Sequence, residues 1–195
     1  MRLAVLVSGE GTNLQAIIDA IENGYLHNVS ISFVVSSNPN AHALARAEKH
    51  KIRCIVIKKE EMVSALLPIF RDVDLVVLAG FLWIIPSSLL GIRPILNVHP
   101  SLLPLFGGKG MYGDKVTAEV LKSGMKVTGV TIHLVTEEVD AGPIVLQKCI
   151  DVGDDETPSS LLDKMHPIEH SLLVQAIDLF SKKKYKIEGN RVLFF

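Results

Sequence analysis

Cysteine is scarce in this chain: of 195 residues only Cys54 and Cys149 are cysteine, and only one residue is tryptophan. The two cysteines share no Cys-x-x-Cys spacing, which argues against a zinc site or a disulfide framework and for a reducing compartment, the cytoplasm. No sign of charge dominates, with 20 Lys and Arg against 21 Asp and Glu and a net charge of -1. The basic surplus that engages a phosphate backbone is missing, so nucleic acid is not an expected partner. Nor does any apolar stretch reach the roughly 18 residues of a membrane span, because Leu75 to Ile85 is interrupted by Gly80 and closed by Pro86. A soluble protein with no membrane partner is expected. The segment Met1 to Gly9 lacks the basic and long apolar regions of a signal peptide, and an apolar strand beginning at Leu3 suggests a free-standing chain. What is present is ordinary globular composition, 48% hydrophobic and 21% charged with 14 Gly and 9 Pro. That excludes disordered, collagenous and coiled-coil classes, and the length is that of one domain.

Short apolar runs alternate with helical patterns through the first half, the mark of βαβ units and a parallel sheet covered on both faces. The pattern predicts strands at 3–7, 30–35, 53–57, 74–78 and 95–99, and helices at 13–21, 41–50 and 60–70, with four right-handed crossovers. In the first helix Leu14, Ile17, Ile18 and Ile21 recur at helical spacing. The second half reads as a strand pair at 128–136 and 143–151, a closing helix at 158–181 bent at Pro167, and a small hairpin of 185–188 and 191–195 about Gly189-Asn190.

Ligands of an open parallel sheet bind beyond the carboxyl ends of its strands, so the segments after each strand carry the chemistry. The first is Ser8-Gly9-Glu10-Gly11-Thr12-Asn13-Leu14, where backbone N–H groups at a helix start suit a phosphate. A dinucleotide fingerprint is a poor match, because Leu14 stands at the third glycine position. The second strand also ends at Ser36-Ser37-Asn38, without the acidic residue that holds a ribose. A monophosphate fits better. The second segment is Asn97-Val98-His99-Pro100-Ser101. Residues two apart on a strand point to one side, so an amide donor and an imidazole are presented together where Pro100 ends the strand. An amide stabilises an oxyanion and an imidazole moves protons, a pairing suited to attack on a carbonyl. Ser101 lacks the Gly-x-Ser-x-Gly elbow of a serine nucleophile and reads as a turn residue. The third segment, Thr136-Glu137-Glu138-Val139-Asp140-Ala141-Gly142-Pro143, offers Asp140 as a carboxylate that would raise the pKa of His99 and orient it if the fold brings the two together. No metal site is expected, since no His or carboxylate pair near these loops has helical ligand spacing.

The combination of Ser-Gly-x-Gly-Thr-Asn-Leu-Gln from Ser8, Ala-Gly-Phe from Ala79, Asn-x-His-Pro-Ser-Leu-Leu-Pro from Asn97, Gly-x-x-x-His-x-Val from Gly129 and Asp-x-Gly-Pro-Ile from Asp140 resembles the folate-dependent formyltransferases. Within that family it is most similar to members acting on glycinamide ribonucleotide in purine synthesis. The resemblance implies an α/β, single-domain Rossmann-like formyltransferase fold with a mostly parallel central sheet flanked by helices. It also implies a phosphate-binding half (1–96) and a catalytic and folate-binding half (97–195). Asn97, His99 and Asp140 match the family's catalytic trio. Gly11, Thr12, Asn13, Leu14 and Gln15, with Glu169 from the closing helix, would contact the ribonucleotide. Lys59, Leu82, Trp83, Ile84, Ile85, Asn97 and the loop Thr136, Glu137, Glu138, Val139 and Asp140 would line the site of 10-formyltetrahydrofolate, the co-substrate. Small molecules are the implied partners, and the protein is expected as a monomer or weak homodimer.

The chain departs from the family pattern at Trp83, often Arg, at His166, often Gln, and at 106–113, which is glycine-rich where the family carries a histidine. The glycine-rich loop at 107–113 is a candidate lid. The implied chemistry is direct attack of an amine on the formyl carbon, with protonated His99 and Asn97 stabilising the tetrahedral oxyanion. Rival readings are a formyltransferase acting on methionyl-tRNA or a sugar nucleotide, a formyltetrahydrofolate hydrolase, and a nucleotide-binding module or NAD-dependent oxidoreductase. The last pair explains the first loop and leaves Asn-x-His and Asp-x-Gly without a role.

Overall fold

The structure, a computed structural model, describes all residues from Met1 to Phe195. It forms two compact units, Met1–Asn97 and Val98–Phe195, whose boundary falls within one strand. The class is the expected one, α/β with mostly parallel strands flanked by helices.

In the first unit the apolar run beginning at Leu3 forms β1 (Arg2–Val7), and Leu3, Ala4, Val5, Leu6 and Val7 are all fully buried. A strand with no polar alternate position must be covered on both faces, as parallel strands are. β2 (Ser30–Ser36), β3 (Cys54–Val56), β4 (Leu75–Leu78) and β5 (Ile95–His99) join it in the order β3-β2-β1-β4-β5, with every pairing parallel. The connections carry α1 (Thr12–Glu22), α2 (His42–Lys49) and α3 (Met62–Asp72), the last entered through a 3-10 turn at Lys59–Glu61. α1 buries Leu14, Ile17 and Ile18, the spacing that marks one helical face. The β4–β5 connection contains only a 3-10 turn, Ser87–Leu89.

Strand order reverses between β1 and β4, which makes their carboxyl ends the topological switch point of this unit. The loops beyond them are tied together by one hydroxyl. Ser8 Oγ, after β1, accepts from the Leu82 amide at 3.0 Å and lies 2.6 Å from Ser37 Oγ, after β2. Gly11 caps α1 in the left-handed region at φ 74°, and a Cβ there would stand 2.6 Å from Ala43 Cβ of α2. Glycine therefore lets the chain turn into α1 and lets α2 approach it closely.

The second unit pairs β6 (Val127–Leu134) with β7 (Ile144–Asp151) and β8 (Tyr185–Glu188) with β9 (Arg191–Phe194), both antiparallel, while β7 meets β9 in parallel at Ile144 and Arg191. α4 (Asp114–Lys122) and α5 (Pro158–Lys182) complete it, and α5 packs on β6, β7 and α4. Its start is defined by a capping box: Thr157 Oγ1 accepts from the Ser160 amide at 3.1 Å, and Ser160 Oγ accepts from the Thr157 amide at 2.9 Å. Pro158 follows at the first helical position, where its missing N–H costs no bond. Leu161, Met165, Leu172, Leu173, Ala176 and Ile177 form the buried face.

Two local outcomes differ from the pattern reading. α4 occupies a stretch to which that reading assigns no element, because Val116, Val120 and Leu121 make only a short apolar stripe after a glycine-rich run. β6 stops at Leu134 rather than at Thr136, after a register shift between Ile132 and His133. Helix α5 continues through Pro167. No helix is long and apolar enough to cross a membrane.

Gly11→Ala combines left-handed strain with overpacking against Ala43, and should lower unfolding free energy by about 2–4 kcal/mol. Urea denaturation of the variant beside the parent checks this.

Candidate active site

β5 ends in Asn97-Val98-His99, and Pro100 stops the ladder. His99 is 3% exposed. Its Nε2 donates to the Phe106 carbonyl at 3.0 Å, and its Nδ1 lies 3.5 Å from Asp140 Oδ2. The pairing anticipated for His99 and Asp140 is therefore present within the second unit.

Asp140 comes from the β6–β7 connection and has positive φ, 57°. Two residues on, Gly142 permits the return: a Cβ there would lie 1.8 Å from the Leu134 carbonyl oxygen, while the Leu134 amide donates to the Pro143 carbonyl at 2.9 Å. The Asp-Ala-Gly-Pro turn thus closes the strand pair at a point where only glycine leaves room for the Leu134 carbonyl. The Gly108 amide donates to Asp140 Oδ2 at 2.9 Å. Phe106 and Gly108 consequently fasten the base of the glycine-rich loop to the His99–Asp140 pair, and the exposed part of that loop begins at Lys109.

A second imidazole, absent from the sequence-derived site, meets the same carboxylate. His133 is 2% exposed, its Nε2 lies 3.6 Å from Asp140 Oδ1, and its Nδ1 donates to the Leu134 carbonyl at 3.0 Å. Beside His133 the β6–β7 register shifts by one residue, from Ile132 opposite Leu146 to His133 opposite Ile144. Its signal in the sequence is the histidine of Gly-x-x-x-His-x-Val, which alternation along the strand alone reads as one more buried position.

Burial pushes the His99 imidazole below its ordinary value; Asp140 and the Phe106 carbonyl pull it upward, and the charge of His133 works with burial. Asp140 thus acts in the anticipated direction, but desolvation outweighs it, and the resting ring is neutral at pH 7 rather than protonated. In Asp140 itself burial works upward, and His133, His99 and the Gly108 amide together carry the carboxyl below its ordinary value. Both nitrogens of His99 face oxygen acceptors, so a neutral ring satisfies one of them and an imidazolium satisfies both. Neutral at rest, the ring has a prepared place for a second proton.

The other anticipated residues fall into separate groups. Around the start of α1, the Gln15 side chain bonds Asp19 at 2.8 Å and accepts from Arg46 Nη1 at 3.4 Å, while Arg46 Nε donates to the Glu10 carbonyl at 2.8 Å. Arg46, not singled out by the sequence motifs, adds a guanidinium to the loop containing Gly11, Thr12, Asn13 and Leu14. Leu82 and Ile84 are exposed, Ile85 is buried, and Trp83 stacks edge-on against Phe81 with centroids 5.8 Å apart. Lys59 begins the 3-10 turn before α3. Thr136, Glu137 and Glu138 are exposed and Val139 half-buried, with Thr136 Oγ1 donating to the Glu138 carbonyl at 3.1 Å. Glu169 is buried on α5, and His166 stacks over His170 one turn away at 6.4 Å. No group of three or more His, Cys, Asp or Glu side chains has the arrangement of a metal site.

The formyl transferase family model matches residues 1–177. Over 204 residues the chain is 37% identical to a phosphoribosylglycinamide formyltransferase of Dictyostelium discoideum, covering 93% of this chain and 98% of that protein. It is 36% identical over 196 residues to a chloroplastic phosphoribosylglycinamide formyltransferase of Arabidopsis thaliana, covering 95% of this chain and 67% of that protein. Among solved structures, glycinamide ribonucleotide transformylase 1 from Symbiobacterium toebii is similar with a TM-score of 0.90 at 34% identity, covering 100% of this chain and 93% of that one.

Two titrations follow from the depressed pKa values. Replacing Asp140 by Asn removes the charge that pulls His99 upward, so the imidazole titration followed by NMR at Cε1 should move to still lower pH. His99 binds a proton more readily unfolded than folded. Its contribution to stability is therefore complete above about pH 6.5 and is lost as pH falls through its lower folded value. Asp140, also depressed, adds a second loss below about pH 3.8. Urea midpoints measured against pH should show both windows, and His99→Gln should flatten the first.

Proposed function

This chain belongs to the formyl transferase family, and from that premise we propose that it transfers the formyl group of 10-formyltetrahydrofolate to the amine of 5'-phosphoribosylglycinamide, yielding formylglycinamide ribonucleotide for purine synthesis. The observation that carries this reading is the buried pairing of His99 with Asp140 at 3.5 Å, two residues beyond Asn97 on β5.

The amine attacks the formyl carbon, and the carbonyl oxygen gains negative charge as the tetrahedral intermediate forms. The Asn97 amide donates to that oxygen. His99, neutral at rest, takes the proton that the amine releases, directly or through one water, and the imidazolium is stabilised by Asp140. The same proton then goes to the departing folate nitrogen as the carbon–nitrogen bond breaks, so protons balance and His99 returns to its neutral form. Asp140 keeps its charge throughout, because the Gly108 amide and both imidazoles hold it ionised.

In this reading the phosphate of the ribonucleotide is bound at Gly11, Thr12, Asn13, Leu14 and Gln15. What supports it is that no side chain caps α1 at Gly11 and that the Arg46 guanidinium stands at the same loop. Glu169 contacts the ribonucleotide from α5. The folate is bound by Leu82, Trp83, Ile84, Ile85 and Lys59, and by Thr136, Glu137, Glu138, Val139 and Asp140. Exposed apolar side chains at Leu82 and Ile84 are consistent with contacts to a planar ring system.

Absorbance of the purified protein with a 10-formyl folate donor tests the proposal. Release of deformylated folate should require glycinamide ribonucleotide and yield its formylated product, whereas release without acceptor would make the protein a hydrolase. His99→Ala and Asp140→Ala should each lower kcat by about 10²–10⁴-fold while remaining folded by circular dichroism.

A further inference from the structure

His99 is oriented through a carbonyl of the turn that follows it, and that turn is gripped from the neighbouring strands. Thr131 on β6 is fully buried. Its Oγ1 donates to the Ser101 carbonyl at 2.7 Å, accepts from the Leu103 amide at 3.0 Å and accepts from Gln147 Nε2 at 2.9 Å. A threonine hydroxyl has one proton and two lone pairs, so this one is fully used. Gln147 stands directly opposite Thr131 in the β6–β7 ladder, and its Nε2 also donates to the Leu103 carbonyl at 2.9 Å. Ser101 Oγ donates to the Leu105 carbonyl at 2.5 Å. The next residue is Phe106, whose carbonyl accepts from His99 Nε2 at 3.0 Å.

We propose that Thr131, assisted across the ladder by Gln147, is a positioning residue for the transfer reaction: its hydroxyl fixes the path of residues 101–105 and so places the Phe106 carbonyl that orients the His99 ring. The activity part of this inference rests on the transferase reading; the orientation of His99 does not. Thr131→Val keeps the shape of the side chain and removes the hydroxyl, leaving the Ser101 carbonyl and the Leu103 amide without their partner. Buried backbone groups seek replacements, so the turn shifts. The titratable groups facing His99 are Asp140 and His133, and this substitution alters neither. A change in His99 after Thr131→Val therefore reports the turn.

The test compares Thr131→Val, Thr131→Ser and Gln147→Met by kcat, KM for both substrates and the NMR titration of His99. Thr131→Val should lower kcat by about 10–100-fold with both KM values changed by no more than about twofold, since misplacement affects the reacting geometry rather than distant binding contacts. Because the Phe106 contact holds the imidazole titration up, its loosening should move that titration to lower pH. Thr131→Ser should restore both readouts, and Gln147→Met should shift them in the same direction by less. A folded Thr131→Val with the parent His99 titration overturns the inference whatever its rate, as does a Thr131→Ser variant equally impaired. If Thr131→Val does not fold, Gln147→Met decides by the same titration. Should the parent protein fail to formylate glycinamide ribonucleotide, the transferase reading falls while the titration still decides the positioning role.

Discussion

A carboxylate largely buried between two imidazoles is tolerable only if it is supplied with donors, and much of the second unit answers that requirement for Asp140. Desolvation alone would drive the carboxyl toward its neutral form. The Gly108 amide at 2.9 Å and the imidazoles of His99 and His133 at 3.5 and 3.6 Å reverse that tendency. Each imidazole is in turn fixed by a backbone carbonyl, Phe106 for His99 and Leu134 for His133. The register shift beside His133, the glycine at 142 and the positive φ of Asp140 are geometric conditions for this convergence.

The electrostatic consequence is a balance rather than a fixed charge. Asp140 and the Phe106 carbonyl favour the imidazolium of His99, whereas burial and His133 favour the neutral ring, and the neutral ring prevails. A group that is neutral at rest yet has acceptors at both nitrogens is suited to accept and return a proton within one turnover.

The first unit uses its backbone in a comparable way. Ser8 ties the loops after β1, β2 and β4 through one hydroxyl, and Gly11 allows α1 to begin against α2 with no side chain between them. Arg46 then reaches the Glu10 carbonyl and the Gln15 side chain, so the loop is held by its own neighbours. Strand order turns at β1 and β4, which sets these loops at the switch point that parallel sheets offer to ligands.

Much of the strand and helix pattern was legible because continuous apolar runs and 3.6-residue spacing are local properties. The residues of β1, β2, β4 and β5, the buried face of α1, and the terminal hairpin all follow from them. So does the presentation of Asn97 and His99 together, since strand alternation and Pro100 are enough. α4 is not legible in the pattern because Val116, Val120 and Leu121 make too short an apolar stripe after a run of glycines. The role of His133 is not legible because its partner Asp140 is seven residues away beyond a register shift, a relation that periodicity does not contain. The sign of the His99 shift depended on depth of burial, which arises only when Phe106, Asp140 and His133 have closed around the ring. Apolar spacing, glycine and proline act locally, and so the fold class, the strand that carries Asn97 and His99, and the turn that carries Asp140 can be read along the chain. Which groups surround the carboxylate, and which way the His99 imidazole is shifted, arise on folding, since solvation and electrostatic energy belong to the assembled environment and to no single segment.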